Sequence, residues 1–176
     1  VIFTETKLSG AYIIDVKKIE DNRGFFGRAW CKKEFEEHGL NANAVQANVS
    51  FNIQKGTLRG MHFQLAPFSE TKTVRCTAGA IYDVIIDLRP NSPTFKQWIG
   101  VELTEQNFRM LYVPEGFAHG FMTLADNSAV HYMVTEFYSP GAESGVRYND
   151  PAFNIEWPME AAVVSEKDKL HPLFGH

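Results

Sequence analysis

Apolar and polar positions along the chain exchange over short distances, and no stretch keeps a helical period for long. Eight segments are rich in β-branched and aromatic residues and predict strands: Tyr12 to Val16, Val45 to Phe51, Thr57 to Gln64, Thr73 to Thr77, Ile81 to Leu88, Gln97 to Leu103, Met110 to Val113 and Val130 to Phe137. Turn residues separate them. Lys55-Gly56 and Ala78-Gly79 each precede a strand, and Arg89-Pro90-Asn91-Ser92-Pro93 is a loop, because two prolines do not suit a central strand. One short helix is expected from Lys32 to His38, with Phe35 as its buried anchor and Gly39 at its C-terminal end. The pattern is all-β, a sandwich or barrel with a few short peripheral helices. There is no repeat of fixed period, no low-complexity stretch and no linker, so residues 1–176 are expected to form a single domain.

Composition narrows the class. With 44% hydrophobic and 22% charged residues the chain reads as globular, not disordered or collagenous. Seventeen Lys and Arg against 21 Asp and Glu give a formal net charge of -4, so bulk electrostatics draws it to neither nucleic acid nor anionic membrane. Any phosphate site must be a local cluster. No window approaches the roughly 18 apolar residues of a membrane span. Cys31 and Cys76 read as reduced thiols, and Val1-Ile2-Phe3-Thr4 shows no targeting pattern, which together give a cytoplasmic expectation. Most of the 14 Phe, 6 Tyr and 3 Trp are expected to fill the space between sheets.

Two segments carry chemistry: Gly56-Thr57-Leu58-Arg59-Gly60-Met61-His62-Phe63-Gln64 and Pro114-Glu115-Gly116-Phe117-Ala118-His119-Gly120. They resemble the paired cupin motifs, in which two histidines and a glutamate of the first join a histidine of the second around a divalent metal. Here Gln64 stands for the second histidine, and an amide oxygen replaces imidazole poorly on a transition metal, so no metal is expected. His62 is then free for proton transfer near neutral pH. Strand parity puts Leu58, Gly60, His62 and Gln64 on one face and Arg59 on the other, unless Gly60 marks a bulge that re-aims Arg59.

Further blocks extend the resemblance. Asp21-Asn22-Arg23-Gly24-Phe25-Phe26, Gln46-Ala47-Asn48-Val49-Ser50, Lys72, Ile86-Asp87-Leu88-Arg89-Pro90-Asn91-Ser92-Pro93-Thr94 and Asn149-Asp150-Pro151 accompany the two histidine motifs. In this order they are similar to the dTDP-4-dehydrorhamnose 3,5-epimerase family from about Gly10 to Asp168. The resemblance implies a cupin-type jelly roll acting without a cofactor on a 4-keto-6-deoxyhexose linked to a nucleoside diphosphate, and inverting C3, C5 or both. By that resemblance His62 is the base, Asp168 its orienting carboxylate with Glu166 as competitor, Tyr132 the proton donor on the opposite face, and Lys72 the enolate stabiliser. Arg23 and Arg59, with Lys72, would meet the pyrophosphate; Gln46 and Asn48 would read sugar or base edges; Phe26 and Tyr138 would stack on the base; His119 and Glu143 would touch substrate. The family further implies a homodimer in which the segment carrying Arg23 and Phe26 enters the partner's site. Many members carry Glu two residues after the paired phenylalanines, whereas this chain has Gly27-Arg28, which leaves a CDP-linked substrate beside dTDP. A metal-dependent cupin and a non-catalytic sugar-nucleotide binding module are the competing functions.

Overall fold

A computed structural model describes residues 1–175. Its strands are β1 (Ile2–Glu5), β2 (Tyr12–Asp15), β3 (Ile19–Asp21), β4 (Gly24–Phe26), β5 (Gln46–Asn52), β6 (Thr57–Gln64), β7 (Lys72–Ala78), β8 (Ala80–Asp87), β9 (Trp98–Thr104), β10 (Met110–Val113), β11 (Phe117–Thr123), β12 (Ser128–Val134), β13 (Glu143–Gly145) and β14 (Val163–Val164). Two helices are short: α1 (Lys32–Glu37) and α2 (Glu166–Lys169). No helix among the described residues is long and apolar enough to cross a membrane.

The strands form two facing sheets, ordered β1-β2-β10-β7-β12-β5 and β13-β6-β11-β8-β9; β14 joins the second alongside the start of β6, and β3 and β4 make a separate hairpin. This is the expected cupin-type jelly-roll sandwich. Alternate residues of both sheets meet in one core: Val74, Leu111 and Val130 from the first, Ile81, Ile85, Leu103, Phe117 and Phe121 from the second. Each outer face is also covered. Phe35 of α1 seals Ile14, Met110 and Tyr112, and the C-terminal segment lays Phe153, Trp157 and Phe174 over Met61, Val84 and Ile86. Helix α1 stops at the expected place, with Gly39 at φ +70° just beyond it.

Strands β6 and β10 match their predicted bounds, while the predicted Val130 to Phe137 strand starts at Ser128 and ends at Val134, leaving Phe137 exposed. Strand β11 is absent from the sequence reading, although it lies at the centre of the second sheet. All seven of its residues are buried, so it has no apolar–polar alternation, and Gly, Ala and His dilute its β-forming residues.

A candidate active site at the mouth of the sandwich

Strands β6 and β11 carry the two histidine motifs side by side, with His62 directly opposite His119. Their register slips at Gly60: His119 pairs with His62, but Phe121, two residues on, pairs with Arg59, three residues back. The extra residue on β6 is the irregularity the sequence required, and it brings Arg59 and His62 to one cavity. Gly60, at φ +126°, permits it, since a Cβ there would lie 2.6 Å from the Cα of Gly120.

The cavity has two adjoining lobes of about 380 and 390 Å³. His62, Lys72 and Tyr132 line both. Arg59 and His119 belong to the first; Gln46, Asn48, Tyr138 and Glu143 belong to the second. Nine of the twelve residues singled out from sequence thus line the cavity, and a tenth, Asp168, reaches it through His62. The other two, Arg23 and Phe26, sit on the exposed β3–β4 hairpin, outside the residues lining either lobe. Arg23 pairs there with Asp21, and Phe26 is 70% exposed.

His62 meets a carboxylate from the far end of the chain. Its Nε2 lies 2.6 Å from Oδ1 of Asp168, whose Oδ2 accepts the Gly60 N–H at 3.2 Å. Ser165 caps α2 by accepting the Asp168 N–H, which fixes the backbone that presents this carboxylate. Burial works to raise the Asp168 pKa, but His62, the Gly60 N–H and His171 outweigh it and hold the carboxyl below its ordinary value. The competing Glu166 is 80% exposed at its side chain and pairs with Lys169, away from the histidine.

Tyr132 is half-buried, and its hydroxyl has no hydrogen-bond partner among the described residues. Burial, reinforced by the charge of Glu70, raises its pKa and keeps the phenol protonated. Lys72 Nζ lies 3.3 Å from Glu70, both side chains largely buried. Arg59 is aimed by Asn52, whose Oδ1 accepts the guanidinium Nε–H at 2.7 Å. Glu143 is held between Lys167 at 2.6 Å and the Tyr138 hydroxyl at 2.9 Å; the hydrogen bond from Lys167 leads in lowering its pKa.

Gln64 has a clear task. Its amide donates to the carbonyls of Phe68 and Phe137 and accepts the Ser139 N–H, so the position that a cupin gives to a metal-binding histidine here ties two loops together. His119, almost fully buried, instead places its Nε2 2.7 Å from Oδ1 of Asp83. Among the described residues the groups near enough to share an ion are His62, Asp168 and His171, and His119 is not among them.

Several participants escaped the sequence reading, among them Asn52 behind Arg59, Glu70 beside Lys72 and Lys167 beside Glu143, together with Asp83 and His171. Asp83 had a visible mark, a carboxylate inside the apolar run Ile81-Tyr82-Asp83-Val84-Ile85. His171 had none, because only the fold of the C-terminal segment brings it to Asp168.

A family profile described as dTDP-4-dehydrorhamnose 3,5-epimerase matches residues 5–176. The dTDP-4-dehydrorhamnose 3,5-epimerase of Sinorhizobium fredii is 43% identical over 171 residues, covering 97% of this chain and 88% of that protein. This chain belongs to the dTDP-4-dehydrorhamnose 3,5-epimerase family. It is therefore an isomerase, a carbohydrate epimerase. Solved structures of the family superpose throughout. The Bacillus anthracis enzyme with TDP and pyrophosphate bound has a TM-score of 0.94 at 45% identity, with 98% of each chain covered. The Legionella pneumophila dTDP-6-deoxy-D-glucose-3,5-epimerase, in complex with dTDP-4-keto-L-rhamnose, gives 0.90 at 39% identity over 98% of this chain and 92% of that one.

Proposed function

We propose that the chain epimerises a dTDP-linked 4-keto-6-deoxyglucose at C3 and C5 to the 4-keto-rhamnose form, without a metal or redox cofactor. The observation that carries this reading is the meeting of both cavity lobes at His62, Lys72 and Tyr132, with Asp168 behind His62. The substrate is read from the names of the relatives and from the nucleotide and sugar bound in their structures.

A hydrogen on carbon beside a ketone is acidic because its loss delocalises charge onto the carbonyl oxygen. With Nε2 of His62 engaged by Asp168, Nδ1 is the ring nitrogen that takes the carbon's proton, and Asp168 steadies the resulting imidazolium. The electron pair moves into the carbonyl, and Lys72 stabilises the enolate oxygen. Tyr132, kept protonated by burial, returns a proton to the opposite face as the enolate collapses, and the configuration inverts. His62 and Tyr132 then exchange protons with solvent. Arg59 meets the diphosphate with two charge-assisted hydrogen bonds, Gln46, Asn48 and Glu143 contact the sugar nucleotide, Tyr138 faces its base, and His119, fixed by Asp83, is a pocket donor.

The functional unit we infer is a homodimer in which the β3–β4 hairpin of one copy brings Arg23 and Phe26 to the other's cavity. The exposure of that hairpin supports it, as do the exposed Val49, Phe51 and Ile53 on the edge of β5 and just beyond it, beside the first lobe. The shared core of the two sheets supports reading residues 1–176 as one domain, and two free cysteines suit the cytoplasm.

Incubation with a dTDP-4-keto-6-deoxyhexose in deuterated water tests the reading, with the CDP-linked analogue alongside. Solvent deuterium should appear at both C3 and C5 of the dTDP sugar. Absence of exchange at either carbon would reject the epimerase mechanism, and preferred turnover of the CDP sugar would reject the nucleotide assignment.

A further inference from the structure

The Asn149-Asp150-Pro151 turn pins the C-terminal segment. Asp150 is buried, its Oδ1 accepting the Ala152 N–H at 2.8 Å and its Oδ2 the Phe174 N–H at 2.6 Å. Phe174 packs on Phe153, and the carbonyl of Pro172 accepts the Arg147 N–H. Held at these points, the segment lays the ring of His171 over Gly145, where a Cβ would lie 2.6 Å from its Cε1. The side chain of His171 is only 11% exposed. Its Nε2 lies 3.4 Å from Oδ1 of Asp168, the same oxygen that His62 meets at 2.6 Å, and the two imidazole rings stand edge to face 5.5 Å apart. That nitrogen is buried and makes no hydrogen bond to any described residue; the Asp168 oxygen is a contact just outside good hydrogen-bond geometry. Two imidazoles thus converge on one carboxylate oxygen.

We propose that His171 is a positioning residue of the catalytic pair: as a neutral imidazole it steadies Asp168 behind His62, and its protonation disables the pair. The inference rests on His62 being the base. A neutral His171 must carry its proton on Nε2, since the alternative tautomer would turn a lone pair toward the carboxylate. The charged groups bearing on it are His62, Asp168 and Lys167; the neighbouring surface of β13 offers Gly145, which has no side chain. Burial, assisted by the charge of His62, holds the His171 pKa below its ordinary value, so the neutral form prevails at neutral pH. A second proton on His171 would claim the charge of Asp168 and repel the imidazolium that forms when His62 takes the carbon's proton. Acid should therefore inactivate the enzyme through two protonations, one on each imidazole.

Deuterium exchange and turnover from pH 8 down to the onset of acid unfolding test this in the wild type, His171→Gln and His171→Leu, with thermal unfolding at each pH as the check on folding. In the wild type the acid limb of log(kcat/KM) should approach a slope of about two, because both imidazoles must be neutral. In both variants the slope should fall to about one. His171→Leu should lower kcat by about 10-fold with little change in KM, and His171→Gln, whose amide can donate to Asp168, should recover most of that loss. A wild-type slope of one overturns the proposal even if the leucine variant fails to fold; so does a slope of two that persists in His171→Gln, or a glutamine variant no better than a folded leucine variant. Lack of exchange by the wild type at every pH overturns the base assignment itself, whereas exchange with a slope of one overturns only the role of His171.

Discussion

His62 and Asp168 are 106 residues apart in sequence, yet Nε2 of one lies 2.6 Å from Oδ1 of the other. Replacing the carboxylate by an amide keeps the shape and removes the charge that supports an imidazolium. Asp168→Asn should lower kcat by about 10²–10⁴-fold while substrate affinity changes little. Steady-state kinetics with calorimetric binding of dTDP checks this, and a loss confined to binding would contradict it.

The irregularity in β6 depends on Gly60. An added methyl group meets the Gly120 backbone at 2.6 Å in a conformation that side chains rarely adopt. Gly60→Ala should cost about 2–4 kcal/mol in urea unfolding and displace both Arg59 and His62.

Gln64→Leu should be nearly as damaging. The amide is buried and serves three backbone groups, so its removal strands two carbonyls and one N–H, at about 1–3 kcal/mol for each group that water cannot reach. Denaturant unfolding measures the loss. Gln64→His, which rebuilds the cupin sequence motif, should be destabilised too, because imidazole cannot make all three bonds.

A pH-dependent stability term comes from Asp87. Burial would raise its pKa, but hydrogen bonds from Arg89, Ser92 and Thr94 outweigh it and bring the value to about 2 from an ordinary 3.8. The carboxylate is thus worth about 2 kcal/mol to the fold above pH 4, and this contribution disappears as the pH falls through 2. Asp87→Asn should unfold more easily than the wild type at pH 7, and the difference should close between pH 4 and pH 2.

What could be read from the amino acids follows from where each constraint acts. Strand β6 was legible end to end because Gly56 opens it and its apolar residues are local, and even its bulge followed from requiring Arg59 and His62 at one site. Strand β11 was hidden because burial on both faces removes alternation. The hairpin of β3 and β4 was hidden because every one of its six residues is exposed. In the site, Asp168 was accessible only through family resemblance, since the order of residues says nothing about which distant carboxylate reaches His62. Asp83 is marked locally as a carboxylate within an apolar run, but its pairing with His119 depends on sheet register, and His171 depends on the path of the last turn, which no local pattern encodes.

In the proposed mechanism His62 removes the carbon-bound proton and Tyr132 restores it on the opposite face. Solvent deuterium exchange by His62→Ala and Tyr132→Phe, followed together with formation of inverted product, tests it most directly. His62→Ala should give neither exchange nor product, and Tyr132→Phe exchange without full inversion; wild-type yields of inverted sugar from Tyr132→Phe, or undiminished exchange by His62→Ala, would overturn the mechanism.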